Sequence, residues 1–220
     1  MSFGVSMIRA VLFDMDGVIA ETEHVHIEAE KQTLLKYGVQ ITEDELHRYT
    51  GTTAKQMFTE LIAKYKLDTT YEKIFKQKEQ IMFKLLEMDA QPVKGAIELI
   101  CKLREKHVKL AVASSSHRRL VHYVLRKLEI TQLFDSIISA EDVAHGKPDP
   151  EIFLMSAKKL KVSPAECLVV EDAKLGVEAA KEAGMKCLGY RNPHSGNQDL
   201  SKADIVTDNF SNLDVQKLLS

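Results

Sequence analysis

An alternation of short apolar runs with segments of helical periodicity constrains the fold of this chain most. Runs of this length, bounded by turn-forming residues, are typical of strands buried in a parallel sheet. The runs are residues 10–13, 110–113, 137–138, 168–170 and 187–188, with 205–206 as a candidate sixth. Because helical patterns separate them, the sequence predicts an α/β fold, a doubly wound parallel sheet with helices on both faces.

Between residues 21 and 91 the strand signals vanish and helical stripes take their place. The apolar stripes are Ala54, Met57, Phe58, Leu61, Ile62 and Tyr65, and then Ile74, Ile81, Met82, Leu85 and Leu86. Threonine followed three residues later by Glu or Gln, a capping-box pattern, occurs at Thr42, Thr53 and Thr69. We expect 21–91 to form a small all-helical cap domain, inserted into an α/β core of residues 1–20 and 92–220.

Composition excludes several classes of protein. The chain is 45% hydrophobic and 28% charged, which is typical of a globular protein with a sizeable core. A net charge of -2 without basic runs argues against binding to nucleic acid or to a membrane surface. Three cysteines without ligand spacing predict neither a disulfide framework nor a zinc site. With no signal-peptide pattern and residues 1–7 as a featureless tail, we expect a cytoplasmic monomer.

Two carboxylates follow the first predicted strand. Asp14 and Asp16 precede Gly17, which lets the chain turn sharply. Because ligands of open α/β sheets bind at the carboxyl ends of strands, Asp14 would lie at the mouth of the sheet. A carboxylate there can attack phosphorus and form an aspartyl phosphate, and Asp16 can act as general acid and then base. Taken alone, the same residues fit a solvated Asp-Gly turn about as well.

Three further polar motifs follow later strands or precede helices. Ser114 and Ser115 end one strand, where hydroxyl and free backbone N–H groups can hold a phosphate, or merely cap a helix. Lys147 lies just before a helix and can neutralise a phosphate, although an exposed loop lysine has the same pattern. Glu171 and Asp172 end another strand and can bind Mg²⁺, or Asp172 can cap the next helix.

Together, the four motifs supply the groups that phosphoryl transfer needs: a nucleophile, an acid/base, phosphate donors and metal ligands. The four acids Asp14, Asp16, Glu171 and Asp172 would repel one another unless Mg²⁺ and Lys147 balanced them. The sequence therefore predicts a Mg²⁺-dependent enzyme that transfers a phosphoryl group to Asp14.

The four motifs, in this order, resemble the haloacid dehalogenase superfamily. Thr22, His26 and the helical insert resemble its β-phosphoglucomutase-like branch, and the resemblance covers nearly all of the chain after residue 7. It implies a modified Rossmann core with a small helical cap, with Asp14 as nucleophile and Asp16 as acid/base. It further implies a Mg²⁺ site of Asp14, the Asp16 backbone carbonyl and Asp172, with Glu171 either binding the ion directly or supporting its ligands, and a phosphate site of Ser114, the Ser115 backbone and Lys147.

Two positions depart from the family pattern. The run Asp-Thr-Glu that often follows the first strand is Glu-Thr-Glu here, at 21–23. The mutases of this branch resemble one another in a cap-loop arginine that grips a second phosphate, and Ala54 takes its place, beside Lys55. We therefore expect a phosphatase acting on a small phosphorylated metabolite, with a mutase as the alternative. Candidates for specificity in the cap are Thr52, Lys55, Lys76 and Lys78.

Two non-enzymatic hypotheses remain open. A receiver-like phospho-acceptor also combines acids, a hydroxyl and a lysine on a parallel sheet, but the helical insert and Asp16 argue against it. A catalytically dead binding protein is disfavoured because Asp14, Asp16 and Lys147 are all present. His24 and His26, near the predicted hinge, are expected to be structural.

Overall fold

The computed structural model describes residues 7–88 and 90–220. Within them, six parallel strands form one sheet in the order β3-β2-β1-β4-β5-β6. The strands are β1 Ala10–Phe13, β2 Lys109–Ala113, β3 Ser136–Ile138, β4 Cys167–Glu171, β5 Lys186–Tyr190 and β6 Ile205–Thr207. The predicted doubly wound sheet is therefore confirmed, including its sixth strand. The predicted tail at 1–7 lies outside the described residues except for Met7.

Helices lie in most of the segments that connect the strands. Those before β2 are α1 Glu23–Leu35, α2 Glu43–Leu46, α3 Ala54–Tyr65, α4 Tyr71–Met88 and α5 Ala96–Glu105. Those after it are α6 Arg118–Lys127, α7 Glu151–Leu160, α8 Lys174–Glu182 and α9 Val215–Leu218. Among the described residues, none of these helices has the length and apolarity needed to cross a bilayer.

Burial of both faces of β1 explains why its sequence is apolar throughout. Val11 and Phe13 point into a cluster completed by residues of α5, α6 and α9. Ala10 and Leu12 point the other way, into a cluster completed by α7 and α8. Successive side chains of a strand face opposite sides, so a strand covered by helices on both faces needs apolar residues at every position.

The helical insert has an apolar cluster of its own. It consists of Leu34, Ile41, Leu46, Met57, Phe58, Leu61 and Ile74. Thr42 Oγ1 accepts from the Glu45 N–H at 3.3 Å, and Thr53 Oγ1 accepts from the Gln56 N–H at 3.2 Å, as their capping patterns predicted. The capping prediction at Thr69 is wrong, because α4 begins at Tyr71 and Thr69 Oγ1 instead contacts the Tyr37 hydroxyl at 3.1 Å.

The chain enters and leaves the insert side by side. Ala20 and Pro92 form an antiparallel bridge, and the Glu21 N–H donates to the Gln91 carbonyl at 2.9 Å. Apolar residues of α1 and α4, among them Val25 and Met82, also contribute to the cluster that contains Val11 and Phe13. The division into a core of 1–20 and 92–220 and a cap of 21–91 remains a prediction, which the paired connections favour.

Candidate active site

Asp14 stands at the carboxyl end of the central strand. It follows β1 directly, and its N–H donates to the Val170 carbonyl of β4 at 2.9 Å, which continues the ladder of the sheet. Only 6% of the residue is exposed. Since β1 lies between β2 and β4, the motifs that follow these strands converge on Asp14.

Lys147 joins three of the predicted motifs. Its Nζ donates to Asp14 Oδ1 at 2.5 Å, to Glu171 Oε1 at 2.6 Å and to the Ala113 carbonyl at 3.2 Å. The side chain is 1% exposed. Burial lowers the pKa of Lys147, but Asp14 and Glu171 outweigh burial and raise it, so the ammonium stays charged. Lys147 is thus a buried cation in contact with Asp14 and not an exposed loop lysine.

Asp16 accepts hydrogen bonds on both carboxylate oxygens. Thr22 Oγ1 lies 2.6 Å and His26 Nε2 3.1 Å from Oδ1, while Ser116 Oγ at 2.8 Å and Ser114 Oγ at 3.3 Å donate to Oδ2. Burial raises the pKa of Asp16, but His26 and the hydrogen bonds from Thr22 and Ser116 outweigh it and hold that pKa well below its usual range. Ser114, expected to hold phosphate, therefore also contacts the second carboxylate.

His26 connects Asp16 to the helical insert. Lys78 Nζ, on α4, lies 2.8 Å from His26 Nδ1, and Lys78 is only 3% exposed. Burial and Lys78 lower the pKa of His26, but the Asp16 carboxylate and the hydrogen bonds with Asp16 and Glu30 outweigh them and raise it to about 9. We therefore place a proton on Nε2, from which it is donated to Asp16. His26, expected to be structural, is in contact with the predicted acid/base.

Glu23 and Glu30 complete this side of the site. Glu30 Oε1 lies 3.8 Å from Lys78 Nζ. Burial raises the pKa of Glu23 to about 7, with Asp16 and Glu30 adding to the shift and His26 and Lys78 opposing it. Lys78 lies on the same buried face of α4 as Ile74 and Met82, where the other residues are apolar. A lysine in such a stripe is the sequence signal that pointed to it.

Asp172 packs against the backbone that follows the nucleophile. A Cβ placed on Gly17 would lie 2.1 Å from Asp172 Oδ2, so glycine is required there. Ser195 Oγ donates to Asp172 Oδ2, and Asn192 Nδ2 donates to the Gly17 carbonyl at 2.8 Å. Ser195 and Asn192 were missed by the sequence analysis, because they lie in the irregular segment after β5 without any motif.

The oxygen donors around Asp14 fit Mg²⁺. Burial is the main cause that raises the pKa of both Asp14 and Asp172 well above the usual range, and the neighbouring carboxylates add to it. A cation near these two carboxylates is therefore favoured. Two carboxylates with a backbone carbonyl, phosphate and water suit the octahedral oxygen shell of Mg²⁺. Residues 7–88 and 90–220 contain no group of three or more His, Cys, Asp or Glu side chains that could hold a metal ion, and the donors proposed for Mg²⁺ include only two such side chains.

Glu171 is committed to other partners. Its Oε1 accepts from Lys147 at 2.6 Å, and its Oε2 accepts from the Ala173 N–H at 3.0 Å. Of the two alternatives for Glu171, these contacts favour the one in which it holds Lys147 and does not bind Mg²⁺ directly. Asp14, Asp172 and the Asp16 carbonyl remain the predicted ligands.

A cavity of about 80 Å³ lies between Asp14 and the helical insert. Thr52 lines it, and Ser115 Oγ donates to the carbonyl of the cap-loop residue Gly51 at 2.9 Å. Lys55 and Lys76 are exposed and are not among the described lining residues, so the structure does not place these two specificity candidates at the cavity. The fourth candidate, Lys78, does line the cavity.

Substitution of Gly176 tests how tightly α8 packs against the Glu171 side chain. A Cβ at this position of α8 would lie 1.8 Å from Glu171 Oε1. We expect Gly176→Ala to lower Tm by roughly 2–12 °C, because overpacking costs about 1–3 kcal/mol here. In an open helix the same change would stabilise by about 1 kcal/mol, so a raised Tm would contradict the packing. Lys174→Ala, at an exposed position of α8, is the control and should leave Tm nearly unchanged.

The sequence model of the family described as haloacid dehalogenase-like hydrolase matches residues 11–190. The matched segment contains all four motifs and the helical insert. It also contains His26 and Lys78, whose contacts emerged from the structure.

Three known proteins illustrate what the chain is similar to. The phosphorylated carbohydrates phosphatase of Thermotoga maritima is 35% identical over 81% of this chain and 83% of that protein. The β-phosphoglucomutase of Bacillus subtilis is 33% identical over 96% of this chain and 94% of that protein. A mutant of CbbY from Rhodobacter sphaeroides, solved with xylulose-(1,5)bisphosphate, superposes with a TM-score of 0.86 at 28% identity, over 94% of this chain and 96% of that chain.

Proposed function

Because the chain belongs to the haloacid dehalogenase-like hydrolase family, as the order of its motifs predicted, we propose that it is a Mg²⁺-dependent phosphatase of phosphorylated sugars. Asp14 forms the aspartyl-phosphate intermediate. The observation that carries the proposal is the Asp14 carboxylate, held by buried Lys147 at 2.5 Å and facing the same cavity as Asp16. The names of the Thermotoga and Bacillus relatives support a phosphorylated sugar as substrate.

In the first step, an Asp14 carboxylate oxygen bonds to phosphorus while the bond from phosphorus to the sugar oxygen breaks. Asp16 donates its proton to that leaving oxygen. The hydrogen bonds on Asp16 favour its ionised form in the empty site, but a phosphate dianion placed nearby raises its pKa and so favours the protonated acid. Thr22 and His26 keep the carboxylate oriented towards the cavity.

In the second step, water attacks phosphorus and the bond to Asp14 breaks. Asp16, now ionised, accepts the proton of that water, and the Nε2–H of His26 supports the carboxylate at 3.1 Å. Lys147 stabilises negative charge on the transferred group throughout. Asp14, Asp172 and the Asp16 carbonyl would hold Mg²⁺, which when bound neutralises charge on the phosphoryl oxygens.

A phosphomutase is the second candidate, since the Bacillus relative has that name and the core residues would be shared. A mutase must hold a bisphosphate intermediate by its far phosphate, for which the fork of an arginine is suited. Ala54 lines the cavity at the position that the resemblance assigns to this arginine, and Lys55 beside it is exposed. Ala54 cannot bind the far phosphate of a bisphosphate, which favours the phosphatase.

We expect steady release of inorganic phosphate from a sugar monophosphate without any sugar-bisphosphate activator. The assay follows inorganic phosphate and glucose 6-phosphate together, from β-glucose 1-phosphate as the single substrate. If Lys55 took over the grip on the far phosphate, Lys55→Ala would lower isomerisation far more than phosphate release. Rapid, bisphosphate-dependent formation of glucose 6-phosphate with little free phosphate would reject the phosphatase in favour of the mutase.

A further inference from the structure

Every basic side chain among the described residues that line the cavity already has a partner. His26 contacts Asp16 and Lys78, as described above. His117, at the start of α6, has Nδ1 at 3.1 Å from Glu141 Oε1 and Nε2 at 3.1 Å from the Tyr71 hydroxyl. With both ring nitrogens engaged, His117 presents no free donor to a second anion.

Glu79 adds a negative charge to the cap side of the same cavity. It lies on α4 beside Lys78, lines the cavity and has a side chain 23% exposed. Its closest ion-pair contact is 4.0 Å, to Nη1 of Arg119, whose side chain is 74% exposed. An ion pair this long, with so solvated a partner, neutralises little charge.

Much of the rest of the cap-side wall is apolar, beside the polar loop residues Tyr49, Thr50, Thr52 and Thr53. The Arg119 guanidinium lies over the Phe83 ring at 4.6 Å from its centroid, and Arg119 is not among the described residues that line the cavity. The apolar lining residues here are Met57, Phe75, Met82, Phe83 and Leu120. A wall of this kind favours contact with uncharged parts of a substrate, while Glu79 repels anions.

We propose that the cavity selects sugar monophosphates whose remaining part is uncharged, and that Glu79 is the specificity-determining residue that excludes a second phosphate. The inference rests on the proposed phosphatase function and adds a substrate class to it. A second phosphate on this side would lose its water and meet Glu79 and apolar side chains, while the Lys78 ammonium of the cavity lining already contacts His26 at 2.8 Å and lies 3.8 Å from Glu30.

The test compares matched substrates that differ only by the second phosphate. These are β-glucose 1-phosphate with β-glucose 1,6-bisphosphate, and fructose 1-phosphate with fructose 1,6-bisphosphate. We measure kcat/KM for phosphate release by the Mg²⁺-loaded full chain. For each monophosphate that the wild type hydrolyses, kcat/KM should exceed that for the matched bisphosphate by about tenfold or more. Glu79→Gln should reduce this ratio by about fivefold, chiefly by raising kcat/KM for the bisphosphate.

Glu87→Gln is the matched control, because Glu87 is an exposed acid of α4 outside the cavity lining and carries the same charge. It should leave the preference unchanged, and circular dichroism with Tm confirms that both variants fold. The role of Glu79 would be overturned if the wild type hydrolysed monophosphates without preferring them to the matched bisphosphates. It would also be overturned if Glu79→Gln and Glu87→Gln changed this preference equally. Lack of phosphate release from every monophosphate would instead reject the phosphatase, and the inference with it.

Discussion

Replacing Asp14 by asparagine is expected to lower kcat by ~10³ or more while the protein remains folded. The amide has nearly the same shape as the carboxylate but cannot attack phosphorus. Lys147 would keep Glu171 as an anionic partner at 2.6 Å, so its buried charge would not be left unpaired. The loss should therefore appear in the chemical step and not in the amount of folded enzyme.

Single-turnover release of phosphate measures this step directly, and Tm reports the fold of the same Asp14→Asn sample. Asp68→Asn, at an exposed position of the helical insert, makes the same chemical change away from the cavity and should retain activity. A kcat near that of the wild type for Asp14→Asn would rule out covalent catalysis at this residue.

Removal of Mg²⁺ is the second change from which we expect a near-complete loss of activity. Asp14 and Asp172 are both buried, and burial together with nearby carboxylates already raises the pKa of each. Without a cation, a phosphate dianion would add more negative charge to this cluster, and Lys147 alone would have to balance it. Excess chelator should therefore abolish phosphate release, and Ca²⁺ should inhibit because its larger, looser shell would displace Asp14.

The control for this experiment is chelator already saturated with Mg²⁺, which should leave the rate unchanged. Adding back Mg²⁺ should restore activity, and Tm measured with and without chelator separates lost chemistry from lost structure. Full activity in excess chelator would contradict the metal requirement and the roles assigned to Asp14 and Asp172.

The apolar runs of the sequence were sufficient to predict the sheet and the place of Asp14. A strand covered on both faces requires apolar residues at every position, as in β1, and this requirement is visible without tertiary structure. Polar residues directly after such runs must lie at one edge of a parallel sheet. For this reason the convergence of Asp14 and Glu171 was predictable, whereas the contact of Lys147, which lies in the loop before α7, with both of them was not.

The partners of Asp16 and the character of the cavity were decided by tertiary packing. His26 and Lys78 meet at 2.8 Å although 52 residues separate them, because α1 and α4 pack side by side. Periodicity records which face of a helix is buried but not which helix covers it. Only the packed structure could therefore place Lys78 and Glu79 at the cavity, leave Lys55 and Lys76 in solvent, and bring Ser195 from an irregular segment onto Asp172.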